Sequence, residues 1–220
     1  MIAFFDLDKT VLSINSATRW VRREVAQGHL KKRQALKAAA WLARYHFGFA
    51  SAESIVADAM AVVNGTDVDT LVERTRVFFR EEVRGWYRPG ALSAIAEHRA
   101  KGDRVVMLTS STLYLASLVG EELGFDKVLC NVLETRDGRH TGGVIGGVCF
   151  GPGKVQHAQR ELDATGAKWA DALFYTDSFS DLPVLERVAR PVAVNPDVRL
   201  QRLARARGWP VVDWGSARPS

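Results

Sequence analysis

The chain has 220 residues, 47% hydrophobic and 25% charged, with 30 Lys and Arg against 25 Asp and Glu for a net charge of +5. That composition excludes a disordered, collagenous or coiled-coil chain. The length suffices for one large domain, or a core with a smaller insert, around a sizeable hydrophobic core. The basic excess is small and spread along the sequence, so it fits an anionic ligand without demanding nucleic acid. Two cysteines, Cys130 and Cys149, are too few for a disulfide framework and have no histidines at zinc spacing. They read as small apolar side chains in a reducing compartment. The apolar start meets Asp6 too early for a signal segment. The longest stretch free of charged side chains, residues 105–120, includes several hydroxyls and falls short of the roughly 18 apolar residues a membrane span needs. A cytoplasmic protein with no membrane partner is expected.

In chain order, residues 2–5 (Ile-Ala-Phe-Phe) are an apolar run that opens onto Asp6-Leu7-Asp8-Lys9-Thr10. Such a run bounded by a polar loop predicts a buried strand of a parallel sheet. Residues 13–84 differ: they hold no strand-like run and are rich in Ala, Arg and Val. Helical periodicity over 30–47, 52–63 and 68–83 predicts a block of helices, either an inserted cap or extra helices packed on the sheet. A helix over 91–101 follows Pro89-Gly90 and stops at Gly102. Residues 104–108 are a second strand run, ending in Thr109-Ser110-Ser111, and a helix over 113–123 stops at Gly124. Asp137-Gly138 within residues 128–150 signals a hairpin. The nearby glycines are not followed by the lysine-serine pair of a phosphate loop, and read as turns or bulges. Helices over 154–162, 181–187 and 197–207 alternate with strands over 172–175 and 191–194 and a last short strand within 209–214. Strands alternating with helices predict an α/β fold, a doubly wound, mainly parallel, Rossmann-like sheet. The expected division is a core of residues 1–12 and 85–220 with a helical cap at 13–84. In such sheets ligands bind outside the carboxyl ends of the strands, where every polar cluster named above falls.

Asp6 and Asp8 sit two apart just past a strand end, and alternation would aim both at one place. Close carboxylates repel unless a cation neutralises them. The pair therefore suits a metal site in which one carboxylate is ligand and nucleophile and the other a proton donor; the alternative is a loop with helix-capping acids. Asp177 and Asp181 form a second acidic pair, with Asp181 placed to cap a helix. All-oxygen donors with no histidine or cysteine suit magnesium rather than zinc. Thr109, Ser110 and Ser111 at a helix start would bind an anion, or merely cap the helix. Lys154, in Gly151-Pro152-Gly153-Lys154, opposes the helix dipole at a helix start, and a bound phosphate would explain it.

Together and in order these residues resemble the haloacid-dehalogenase-like phosphatase superfamily, in particular its phosphoserine-phosphatase-like branch. The resemblance spans essentially the whole chain. The first motif is Asp6-Leu7-Asp8-Lys9-Thr10, the second Thr109, the third Lys154 and the fourth Asp177-Ser178-Phe179-Ser180-Asp181. The resemblance implies that Asp6 attacks phosphorus and that Asp8 protonates the leaving alcohol and then activates water. It implies that magnesium binds Asp6, the Asp8 carbonyl and Asp177, and that Asp181 holds the metal waters or Lys154. Thr109, Ser110 and Lys154 would bind the phosphoryl oxygens, Thr10 would brace the loop, and Ser178 would support the site from behind. The implied substrate is a small phosphorylated metabolite, phosphoserine-like or histidinol-phosphate-like. A phosphotransferase, a phosphatase of lipid phosphates and a non-catalytic anion-binding module are the alternatives. Asn15 stands where the branch places a glutamate for a substrate amino group, and a neutral amide makes no ion pair there.

Overall fold

The computed structural model describes residues 1–30 and 63–217. The helices expected over 30–47 and 52–63 therefore lie, but for their end residues, outside the described residues.

Strand β1 (Ile2–Phe5) is the centre of the sheet and is buried throughout. Ala3 and Phe5 pack into one apolar cluster with Val105, Met107, Leu115 and Val119. Ile2 and Phe4 pack into the other with Val106, Leu108, Phe174 and Leu162. Burial on both faces is why the run reads as continuously apolar rather than alternating. The chain then makes a tight turn over Leu7–Val11, in which Lys9 adopts a left-handed φ of 58°. Helix α1 (Ser16–Ala26) follows, with Asn15 as N-cap accepting from the Thr18 N–H at 2.8 Å. Helix α2 (Val68–Phe78) is capped in the same way by Asp67. The return to the sheet pairs with the outgoing chain through an antiparallel bridge between Leu12 and Tyr87.

From there the expected alternation holds. Helix α3 (Pro89–Ala100), begun by a proline whose missing N–H costs nothing in a first turn, leads to β2 (Arg104–Thr112) and α4 (Leu113–Leu123). Strands β3 (Lys127–Arg136) and β4 (Arg139–Ile145) form the hairpin, turning on Asp137 and Gly138, both at positive φ. Helix α5 (Pro152–Thr165), β5 (Ala172–Thr176), the short α6 (Leu182–Leu185), β6 (Arg190–Val194), α7 (Val198–Arg207) and β7 (Val211–Val212) complete the chain. The strand order is β4-β3-β2-β1-β5-β6-β7. All neighbours are parallel except β3 and β4. Connections leave β1 toward β2 on one side and arrive at β5 on the other, so the crevice outside the carboxyl end of β1 is the topological switch point.

Two expectations need correcting. The second strand does not stop at residue 108: it runs to Thr112 past a register irregularity between Leu108 and Thr112. The helix expected over 181–187 shrinks to four residues behind a 3-10 turn at Phe179–Asp181; Asp181 holds the N-cap position, but its side chain bonds Lys154 instead of capping. No helix among the described residues is long and apolar enough to cross a membrane.

Candidate active site

The parallel register sets the site. Phe5 is level with Tyr175 on β5 and with Met107 on β2. The next residues along, Asp6, Thr176 with Asp177, and Leu108 with Thr109, emerge side by side at the carboxyl ends of three adjacent strands. The Asp6 N–H donates to the Tyr175 carbonyl at 2.9 Å, extending the ladder one residue past β1 before the chain turns.

Lys154 is the centre of the cluster. Only 2% exposed, its Nζ donates to Asp6 Oδ1 at 2.7 Å and to Asp181 Oδ2 at 2.9 Å. Burial works against its charge, but Asp181 and Asp6 outweigh that and raise its pKa. A buried ammonium between two carboxylates is retained only with such partners. Its place on the first turn of α5 depends on Gly153, where a Cβ would lie 1.9 Å from the Val148 carbonyl oxygen. Asp181 also accepts from Thr176 Oγ1 at 2.6 Å, which fixes the second partner of the lysine.

Asp177 is tied to the first loop by a reciprocal pair. Its N–H donates to Thr10 Oγ1 at 2.9 Å, and Thr10 Oγ1 donates to Asp177 Oδ1 at 3.3 Å. Thr10 thus braces the loop that carries Asp6. Burial is the main cause holding Asp6 and Asp177 well above the ordinary carboxylate range; for Asp177 the neighbouring Asp6 and Asp181 add to it, and for Asp6 Lys154 pulls the other way.

Asp8 does not point beside Asp6 by strand alternation, because residues 7–11 have left the strand. Its Oδ1 accepts from the Ser16 N–H at 2.7 Å, at the first turn of α1. Asp8 thus satisfies a first-turn amide of α1, while its charge still reaches Asp6. Burial raises the Asp8 pKa, against the bond from Ser16 and the charges of Lys154 and Lys9, so the group holds a proton more readily than an exposed aspartate.

Thr109 is buried, and its Oγ1 accepts from the Ser111 N–H at 3.1 Å. The N-cap of α4 is Thr112, whose side chain makes no capping bond. Ser178 stands behind Asp177, donating its N–H to Thr176 Oγ1 at 3.2 Å and sharing a hydroxyl contact of 2.8 Å with Ser180. Asp6, Lys154 and Asp181 are thus joined by direct bonds at the carboxyl end of the sheet, and Asp177 and Thr10 form a second bonded pair.

A family model described as haloacid dehalogenase-like hydrolase matches residues 3–186. The chain belongs to this family. It is 32% identical over 221 residues to a phosphoserine phosphatase of Mycobacterium tuberculosis, covering 98% of this chain and 71% of that one. It is 28% identical over 218 residues to a histidinol-phosphatase of Neisseria meningitidis serogroup C, covering 97% and 98%. Among solved structures, a Bordetella pertussis Tohama I protein of unknown function superposes with a TM-score of 0.88 at 29% identity, covering 97% and 98%.

Haloacid dehalogenase-like hydrolases imply a divalent metal, and the donors here fit magnesium. Three buried carboxylates, Asp6, Asp177 and Asp181, face one buried ammonium. That excess of negative charge is what a divalent ion would neutralise. The donors are oxygens, and no group of three or more His, Cys, Asp or Glu side chains among the described residues is arranged as a metal cage. Few protein ligands, completed by water and substrate phosphate, is the manner in which magnesium binds.

Sequence reasoning missed two buried residues. Arg88 donates through Nε to the Lys9 carbonyl at 3.0 Å and through Nη1 to the Gly215 carbonyl. It clamps the left-handed turn of the first loop, and only its place before Pro89-Gly90 hinted at it. Asn131 is a lone amide in the apolar strand Val128-Leu129-Cys130-Asn131-Val132-Leu133; a polar residue at a fully buried strand position was the available signal. Asn15, at the place where the resemblance expects a glutamate for a substrate amino group, spends its side-chain oxygen on the α1 cap.

Proposed function

We propose that the chain is a magnesium-dependent phosphomonoester phosphatase acting on a small phosphorylated metabolite through an aspartyl-phosphate intermediate. Membership of the hydrolase family and relatives named phosphoserine phosphatase and histidinol-phosphatase support phosphatase activity. The observation that carries the mechanism is Lys154, buried and bonded to both Asp6 and Asp181 at the switch point of the sheet.

A phosphomonoester brings a dianion to a crevice already rich in carboxylates, and repulsion would exclude it without fixed positive charge. Lys154 supplies one such charge, and magnesium held by Asp6, the Asp8 carbonyl and Asp177 would supply the other and polarise the phosphoryl group. Thr109 and the amides from Ser110 onward, with Lys154, hold the equatorial oxygens where transition-state charge collects. An Asp6 carboxylate oxygen bonds to phosphorus as the bond to the ester oxygen breaks. Asp8, whose pKa is raised by burial, gives its proton to the departing alcohol. The resulting Asp8 carboxylate takes a proton from water, which attacks phosphorus and frees Asp6 and orthophosphate. Proton transfer of this kind contributes typically ~10²–10⁴-fold. Thr10, Asp181 and Ser178 keep the reacting groups in place.

On this reading substrate choice, phosphoserine-like or histidinol-phosphate-like, falls to a cap within residues 13–84, of which 31–62 lie outside the described residues, and the enzyme works in the cytoplasm without nucleic acid or membrane. The neutral, helix-capping Asn15 removes one ionic contact to an amino group, so recognition of such a group falls to other residues.

A panel of phosphorylated metabolites with phosphate release as readout tests the proposal. Turnover of at least one ester, its loss with EDTA, its return with Mg²⁺, and its abolition in a folded Asp6→Asn variant are the expected results. Turnover near that of the unaltered protein in Asp6→Asn would sink the nucleophile assignment, and indifference to chelation would sink the metal.

A further inference from the structure

The irregularity in β2 lies where the candidate phosphate-binding residues are. Leu108 pairs with Leu129, yet the next pairing is Thr112 with Asn131. Four steps on β2 thus face two on β3, and Thr109, Ser110 and Ser111 stand out as a bulge. Bulges re-aim side chains and leave backbone groups outside the ladder. Such groups need other partners when buried.

Asn131 supplies one. It is fully buried, 0% exposed, and its Nδ2 donates to the Ser110 carbonyl at 2.6 Å. Its Oδ1 accepts from the Cys149 N–H at 2.8 Å. Cys149 belongs to the loop before α5 and is itself completely buried. One residue earlier, the Val148 carbonyl lies so close to Gly153 that no Cβ fits between them. The next residue after Gly153 is Lys154. A single amide therefore joins the backbone of the bulge to the loop that seats the lysine, and a charged or apolar side chain of this size could not serve both partners.

We propose that Asn131 is a positioning residue that sets the spacing between the Thr109–Ser110 anion loop and Lys154, so that both meet the same phosphoryl group. The inference rests on the phosphatase reading of this site. Removing the amide leaves Ser110 C=O and Cys149 N–H unpaired in the interior, and each loop relaxes separately. Asn131 touches no reacting atom in this scheme; its effect passes through the two loops.

The test uses the full chain with Asn131→Ala, Asn131→Asp and, as a reference for loss of core packing at a residue of α7 that bonds to neither loop, Leu200→Ala. Asn131→Asp keeps the volume and the bond from Cys149 and loses the donor to Ser110, so it tests the link even if the alanine variant fails to fold. Two readouts are taken: kcat/KM on a hydrolysed ester, well below each melting temperature, and the rise in melting temperature given by inorganic phosphate with Mg²⁺. Both Asn131 variants should lose at least tenfold in kcat/KM and most of the phosphate-induced rise, while Leu200→Ala keeps both despite a lower melting temperature. Asn131 variants within twofold of the unaltered protein in both readouts, or a parallel loss in Leu200→Ala, would overturn the inference and leave the phosphatase reading intact. If no ester is hydrolysed, the phosphatase reading fails on its own, and the phosphate arm decides Asn131: an equal rise, or none, in protein and variants rejects it.

Discussion

At the scale of single residues, charge balance decides most. Lys154 is a point charge on a flexible stem, buried where only carboxylates can hold it. Replacing it by methionine of similar length keeps the packing and strands Asp6 and Asp181. Breaking a buried pair in this way costs about 3–5 kcal/mol, and losing one fixed donor to the phosphoryl oxygens costs ~10²–10³-fold in turnover. Lys154→Met should therefore lower the melting temperature and kcat together. Mg²⁺ should recover part of the stability, because the ion relieves the same repulsion, but not the turnover. A variant of native stability, or one that turns over normally, would show that the lysine is not the charge that admits phosphate. Asp8 makes a related point: one side chain both caps α1 through Ser16 and stands in electrostatic reach of Asp6. The sequence offered those roles as alternatives because its partner is eight positions away, beyond any local capping pattern.

At the scale of elements, legibility followed burial. Strands β1 and β5 are near-continuous apolar runs because both their faces are covered, and each was readable with its polar terminus. Lys154 was readable because a lysine in a first helical turn opposes the dipole and needs a reason. The bulge in β2 was not readable, since register belongs to the pairing with β3 and not to residues 104–112 alone. Helix α1 was not singled out either, although Ala17, Trp20, Val21 and Val25 recur at helical spacing and Trp20 packs against Phe78. The seat of α5 yields a sharp prediction. In Gly153→Ala the new Cβ meets the Val148 carbonyl at 1.9 Å, so the helix start must move, at about 1–3 kcal/mol, and carry Lys154 with it. In Gly208→Ala, at the end of α7, nothing lies within 4 Å but φ is +67°, which costs about 1–2 kcal/mol as strain. Comparable losses of stability should therefore accompany a large drop in kcat/KM for the first variant and none for the second, measured side by side. Equal activities would mean that α5 does not position the lysine.

At the scale of the whole molecule, the site is a store of repulsion that the fold must carry when no cation is bound. In the metal-free protein Asp6 and Asp177 are raised from 3.8 to about 7 and about 8 respectively, chiefly by burial. A carboxylate whose pKa is raised on folding binds its proton more tightly in the folded state than in the unfolded one. Its contribution to stability is therefore complete below the unfolded value and is lost as pH rises through the folded one. Metal-free protein should accordingly lose stability as pH climbs from about 5 to about 8. Asp67, Asp103 and Asp213, whose pKa values are lowered by hydrogen bonds and ion pairs, act only further down the scale. Mg²⁺ binds the ionised carboxylates and competes with their protons, so the stabilisation it gives by mass action should grow with pH over the same window. Melting curves at fixed ionic strength, in EDTA and in Mg²⁺, give both slopes. A metal-free protein whose stability is flat or rises from pH 5 to 8, with an Mg²⁺ increment that does not grow, would mean that these carboxylates are not the pair the ion neutralises.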